Sequence, residues 1–341
     1  MKIDIVTVTY NCRDYIRNFL EGLYRKTGRD FNLYIFDNSS SDGSKEILRE
    51  YELLKKNIKI IYSDKNINFG PANNYLVKNF CREKLLLFIN NDIIFTDNWL
   101  DNLINGMKET DADMVGAKLI YPDNKTIQHC GIEFDICGMP HHIYRFAPAD
   151  LLQTNERREF PNVTAACMLM KRQDFLDVDG FDEKYINGYE DNDLCMKLFV
   201  KKKKIIYEPK CELFHFESVS PGISDQNIFS GNYFFERWKH LTLKMGYESL
   251  KNVKGKVSIF GTGEKAKHLI QILKEYDFEI EKIYDRKGYE NKLFGKIYGI
   301  DEINKFKPEN LIVASVSQYL IIEDLKKILS DDTIIIPVCR Y

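Results

Sequence analysis

No stretch of the chain approaches the ~20 consecutive apolar residues that a membrane-spanning helix needs. The opening MKIDIVTVTYN is too short and polar for a signal peptide and lacks a small-residue cleavage site. These absences lead to the expectation of a soluble, cytoplasmic protein, with peripheral association at the inner membrane face left open. A charge surplus is missing too: 49 Lys and Arg stand against 51 Asp and Glu, a net charge of −2. No global field then draws in nucleic acid, and an anionic ligand must be held locally. The eight cysteines, at 12, 81, 130, 137, 167, 195, 211 and 339, form no CxxC pair. They read as reduced, mostly buried thiols, and a zinc site from Cys130, Cys137, His141 and His142 would fit no common spacing. Internal repeats and low-complexity tracts are also lacking, and an apolar share of 44% against 29% charged residues excludes disorder.

What is present is a regular alternation. Ile3 to Val8 is a β-branched run, and Tyr15 to Tyr24 then places Ile16, Phe19, Leu20 and Leu23 on one helical face. Leu33 to Phe36 ends at Asp37 and a polar DNSSSDGS turn, after which Ile47, Leu48, Tyr51 and Leu54 resume helical spacing. Ile58 to Tyr62 predicts a third strand, a helix opens near Pro71, and Leu85 to Ile89 is a fourth strand stopping at Asn90-Asn91-Asp92. Continuously apolar strands separated by helices predict an α/β protein with a mostly parallel sheet covered on both faces. Beyond residue 110 the regularity fades. A strand at Met114 to Ile120, an irregular 129–148 stretch, a strand at Val163 to Met170 and a helix over Glu190 to Val200 suggest a mixed sheet with long loops.

Ligands of open parallel sheets bind beyond the carboxyl ends of the strands. Here those ends are Thr9-Tyr10-Asn11, Asp37-Asn38-Ser39 and Asn90-Asn91-Asp92. A carboxylate after the second strand could accept from a base or ribose, and Asp92 could hold a cation bridging two phosphates. Each aspartate alone reads as well as a cap or an Asx turn.

Taken in order, TVTYN (7–11), DNSSSDGS (37–44), NINFGPANN (66–74), FINND (88–92), TAACMLMKR (164–172), GFDEKYINGYEDNDL (180–194) and HFES (215–218) resemble the inverting GT-A-fold glycosyltransferases of the large bacterial rhamnosyl- and galactosyltransferase group. The resemblance implies a GT-A catalytic domain over 1–250 that moves a sugar from a UDP- or dTDP-sugar donor to a glycan or lipid-linked glycan acceptor in cell-surface polysaccharide synthesis. It puts Thr9, Tyr10 and Asn11 in the nucleoside pocket, with Asp37 accepting from the pyrimidine ring. Phe69, Gly70 and Asn73 fall in the donor-side loop. Asn90-Asn91-Asp92 stands for the family's D-x-D motif, with Asn90 in place of its first carboxylate. Asp92 and His215 would hold Mn2+ or Mg2+. Glu190-Asp191 matches the acidic pair, Asp191 as general base and Glu190 as its partner.

A second α/β unit is expected over 256–341 after the polar Lys251 to Lys256 segment. Gly261-Thr262-Gly263 follows a strand, Ala266 takes the third fingerprint position and Asp285 ends the next strand, which partly meets the dinucleotide fingerprint. The small Rossmann-like unit so predicted would serve docking or oligomerisation, or bind a nucleotide. Two alternatives stay open: an NAD-dependent sugar oxidoreductase using that unit, and a non-catalytic scaffold.

Overall fold

The computed structural model describes residues 2–123, 125–217, 224–329 and 332–339. The chain divides into two compact units, Met1–Ile132 with Pro148–Arg237, and Glu133–Ala147 with Trp238–Tyr341.

The first unit opens with β1 (Ile3–Thr9), α1 (Arg13–Lys26), β2 (Phe31–Asp37), α2 (Ser44–Leu54), β3 (Ile58–Tyr62), α3 (Phe69–Asn79) and β4 (Leu85–Ile89). It continues through β5 (Ile93–Ile94), α4 (Trp99–Thr110), β6 (Met114–Ile120) and β7 (Ile127–His129). Beyond β8 (Ile132–Phe134) and β9 (Pro140–His142) come β10 (Arg158–Glu159), β11 (Cys167–Lys171), α5 (Arg172–Leu176), α6 (Glu190–Val200) and β12 (Ile205–His215). Among the described residues one ten-stranded sheet runs β10-β12-β6-β11-β4-β1-β2-β3, with β5 beside β12 and β7 beside β6. Strands β1 to β4 are parallel, while β11 lies antiparallel between β4 and β6.

Burial on both faces explains the apolar runs. Leu85, Leu87 and Ile89 join Phe19, Leu20 and Trp99 in one core cluster, whereas Leu86 and Phe88 join Leu76, Val77 and Leu194 in the other. Successive side chains of a strand point to opposite faces, so a strand covered by helices on both sides must be apolar throughout.

The strand expected at Val163 to Met170 begins only at Cys167. Backbone groups just before it turn to a side chain of α6 instead of a neighbouring strand. The irregular 129–148 stretch contains the short strands β8 and β9, which pair with each other.

The second unit is built from α7 (Ser224–Tyr247), β13 (Val257–Phe260), α8 (Glu264–Glu275), β14 (Ile280–Asp285), β15 (Tyr289–Asn291), β16 (Gly295–Gly299), α9 (Ile303–Phe306), β17 (Asn310–Val313), α10 (Gln318–Lys326) and β18 (Ile334–Pro337), the division between units falling inside α7. Its sheet runs β15-β16-β14-β13-β17-β18. The boundary differs from the expected 250/256 break in two ways. Residues 133–147 fold with this unit: Ile136 N–H donates to the Val338 carbonyl at 2.9 Å, Lys265 pairs with Asp135 at 2.7 Å, and Ile136 and Cys137 lie in its core. Gly246 is required there, since a Cβ on it would come within 2.0 Å of the Asp135 carbonyl oxygen. The polar 251–256 segment is an internal turn, whose Lys254 and Lys256 carbonyls accept from Asn310 Nδ2.

Candidate functional site

The carboxyl ends of β1 and β2 are cross-tied by side chains. Asn11, in left-handed backbone at φ 48, donates its N–H to Ser40 Oγ at 2.9 Å and accepts from Ser41 N–H at 2.8 Å. Asparagine tolerates that backbone region. The first turn of α1 has free N–H groups, and the DGS turn supplies acceptors for them: Ser44 Oγ to Cys12 N at 3.0 Å and Asp42 Oδ2 to Arg13 N at 2.8 Å. Asp37 is fully buried; it accepts from Ser40 N–H at 3.2 Å and Thr9 Oγ1 at 3.4 Å, with Lys45 Nζ at 3.7 Å. Thr9 is buried as well and turned toward Asp37, while Tyr10 and Asn11 keep partial exposure.

The second cluster forms around β5 and the end of β12. Strand register sets His215 opposite Ile93, and Phe216 N–H donates to the Asp92 carbonyl at 3.3 Å. His215 Nε2 therefore lies 3.1 Å from Asp92 Oδ1 and 3.2 Å from Asn90 Nδ2. On the other side of the ring, Nδ1 is 2.5 Å from Gln128 Oε1, and Gln128 Nε2 donates to the His215 carbonyl at 3.2 Å. Asn91 Nδ2 donates to the Val8 carbonyl at 2.9 Å, pinning the turn after β4 to β1. Asp92 and His215 are both nearly buried. Ser218, the last residue of the HFES motif, lies outside the described residues.

The acidic pair opens α6. Asp191 Oδ2 accepts from Thr164 Oγ1 and Ala165 N–H, both at 3.1 Å, and Oδ1 accepts from the N–H and Nδ2 of Asn192 at 2.8 and 2.9 Å. Burial pushes its carboxyl upward while those donors pull it down. Glu190 is pushed up to about 8, first by burial and then by the Asp191 charge, and its Oε2 has no partner. The loop holding Asp191 also reaches the Asp92–His215 cluster, because the Ala166 carbonyl accepts from Asn90 N–H at 3.0 Å.

In the 69–73 segment Gly70 packs closely. A Cβ there would sit 3.3 Å from Phe181 Cβ, so its small size serves packing against the segment leading to the acidic pair. Phe69 meets Phe181 edge to face at 5.5 Å, and Asn73 Nδ2 donates to the Phe69 carbonyl at 3.0 Å while its buried Oδ1 stays without a partner. Three contributors were given no role from the sequence: Gln128, Thr164 and Asn74. Thr164 and Asn74 lie inside the motifs 164–172 and 66–74, whereas Gln128 falls in none.

In the second unit, Asp285 Oδ2 accepts from Thr262 Oγ1, and Thr262 Oγ1 lies 2.8 Å from the Tyr289 hydroxyl. The carboxylate at the fingerprint's acidic position is thus engaged within its own loop cluster. Among the described residues no group of three or more His, Cys, Asp or Glu could hold a metal, which includes the four-residue zinc arrangement, and all eight cysteines are buried and in no disulfide. No helix among them is long and apolar enough to cross a membrane.

The model of glycosyl transferase family 2 matches residues 4–178, ending before Glu190, Asp191 and His215. The O-antigen biosynthesis protein RfbC of Myxococcus xanthus is 27% identical over 226 residues, 64% of this chain and 18% of the relative. An uncharacterized Sinorhizobium fredii protein is 27% identical over 65% of this chain and 25% of its own length. The chain thus spans a quarter or less of these two relatives. The rhamnosyltransferase WbbL of Escherichia coli is 25% identical over 73% of this chain and 93% of its own. Among solved structures, GalNAc-T7 with UDP, GalNAc and Mn2+ superposes with a TM-score of 0.59 at 14% identity, covering 82% of this chain and 55% of that one. The mannosyltransferase PcManGT of Pyrobaculum calidifontis, in complex with GDP-Man and Mn2+, gives 0.54 at 13% identity over 73% and 70%. At such identities the likeness is one of fold, an α/β fold of GT-A type.

Proposed function

Because the chain belongs to glycosyl transferase family 2, we propose that it is an inverting, metal-dependent glycosyltransferase that moves a sugar from a nucleoside diphosphate, UDP or dTDP, to an acceptor hydroxyl of a growing cell-surface glycan. The observation that carries this reading is the convergence of Asp92 Oδ1 and His215 Nε2, 3.1 Å apart, at the carboxyl edge of the sheet. One carboxylate and one imidazole suit Mn2+ or Mg2+. Asp92 and His215 would hold the ion, which when bound neutralises the charge that develops on the leaving diphosphate.

The remaining steps fall to the chain itself. Thr9, Tyr10, Asn11 and Asp37 line the nucleoside side, Asp37 offering the base its remaining lone-pair capacity, and Asn90 and Asn91 frame the diphosphate side beside Asp92. Phe69, Gly70 and Asn73 back the donor loop. Asp191 takes the proton of the acceptor hydroxyl as its oxygen attacks the anomeric carbon and the bond to the diphosphate breaks. Four donors fill its lone-pair sites, so one must yield, and the rotatable Thr164 hydroxyl can turn away. Burial raises Glu190 to about 8, which favours a protonated carboxyl that both donates and accepts, as fits a group that positions the acceptor.

Calorimetry of UDP with Mn2+, run beside turnover assays over a panel of nucleotide sugars, tests the reading. Asp92→Ala should abolish metal-dependent nucleotide binding. Asp191→Asn should keep binding and lose ~10²–10⁴-fold in transfer, the usual cost of a missing general base. Full turnover in excess chelator would overturn metal dependence, and wild-type turnover by Asp191→Asn would remove Asp191 as base.

A further inference from the structure

We propose that Gln128, on β7, is a positioning residue that locks His215 in the Nδ1–H tautomer and so presents the Nε2 lone pair to a cation shared with Asp92. The inference rests on the proposed metal reading and begins from a backbone atom. The His215 carbonyl can only accept, and the amide of Gln128 lies 3.2 Å from it. The NH2 end of that amide must therefore be the end facing the carbonyl, because a flipped amide would set oxygen against oxygen. Oε1 is then fixed at 2.5 Å from Nδ1. Facing an acceptor, Nδ1 has to carry the ring proton, and in the neutral ring Nε2 has none.

The opposite side of the ring agrees. Asn90 Nδ2 lies 3.2 Å from Nε2, an approach compatible with a lone pair there. Asp92 Oδ1 lies at 3.1 Å from the same atom. Two acceptors that close, both nearly buried, need either a cation or a shared proton between them.

Strand pairing makes the arrangement rigid. Strand β7 pairs with β6, β6 with β12, and β12 carries His215, so the amide and the ring stand on strands of one sheet. Metal-binding histidines commonly have their second nitrogen held this way, and loss of that partner typically costs 10–100-fold in metal affinity.

The test separates the tautomer from the metal. With 15N-labelled histidine in the metal-free protein at about pH 9, well above the ~6.5 of an ordinary imidazole, long-range 15N–1H correlations should show His215 as Nδ1–H, its signals being those lost in His215→Ala. Gln128→Met keeps the shape and removes the acceptor. It should shift His215 toward Nε2–H and weaken Mn2+ binding in the presence of UDP by ~10–100-fold. Gln128→Glu still places an acceptor at Nδ1 in either ionisation state, so it should keep the Nδ1–H form and recover part of the affinity, its ionised form losing only the bond to the His215 carbonyl. An Nε2–H ring in the wild type, or unchanged Mn2+ affinity in Gln128→Met, overturns the proposal. If the wild type shows Nδ1–H yet takes up no Mn2+ with UDP, the metal reading fails and the tautomer assignment stands. Should Gln128→Met not fold, the Gln128→Glu spectrum decides: an Nε2–H ring there overturns the proposal.

Discussion

At the residue scale the acidic pair divides its labour through protonation. Two adjacent carboxyls in a dry setting cannot both ionise cheaply; burial raises Asp191, while its four hydrogen-bond donors favour its charged form. Glu190, with none at Oε2, is raised to about 8. The consequence for stability has a definite sign. A carboxyl whose folded value exceeds its unfolded value of ~4.5 binds more protons folded than unfolded. Its contribution is fully present below the unfolded value and is lost as pH rises through about 8. Glu190→Gln removes the titration, so denaturant midpoints of the variant should fall less than those of the wild type between about pH 5 and 9. Parallel pH profiles for the two proteins would show that Glu190 does not titrate in this window.

At the element scale, α3 is fastened to the segment that leads to the acidic pair by one asparagine. Asn74 Oδ1 accepts from Phe181 N–H at 3.0 Å, and its Nδ2 donates to the Phe181 carbonyl at 2.9 Å and to Glu183 Oε1 at 3.0 Å. Gly180 is at φ +65, and a Cβ on it would come within 2.4 Å of Asn74 Oδ1, so the clamp requires glycine there. Asn74→Ala leaves a buried N–H and carbonyl unpaired. We expect a loss of about 2–4 kcal/mol in urea unfolding, together with weaker transfer, because the 181–191 segment loses its anchor. A change under about 0.5 kcal/mol, the range of ordinary surface substitutions, would mean that the segment is held by its aromatic packing instead. The same scale explains why the strand at Val163 begins late: its polarity pattern is that of a strand, but Ala165 N–H serves Asp191.

At the scale of the whole molecule, the sequence suggested that a chain ending near Lys251 would keep a complete catalytic domain, and the structure argues otherwise. Residues 133–147 would lose their partners: Asp135 its ion pair with Lys265, Ile136 its bond to Val338, and Ile136, Cys137 and Leu250 their cover. A buried carboxylate stripped of its partner costs about 3–5 kcal/mol, and the uncovered apolar groups promote association. We therefore expect the truncated chain to aggregate in size-exclusion chromatography. A monodisperse truncation that binds UDP with Mn2+ would show that the 133–147 excursion is dispensable. Sequence by itself determined the parallel α/β core, because buried strands must be apolar throughout and polar runs must fall at their carboxyl ends. It also determined the order of the motifs that point to a glycosyltransferase. Only the tertiary structure decided which distant residues meet: His215 reaches Asp92 through the pairing of β12 with β5, Gln128 reaches His215 through β6, and 133–147 leaves the first unit for the second. Periodicity reports the burial of each segment on its own, whereas strand register and the partners of a buried charge are settled between segments far apart in the chain.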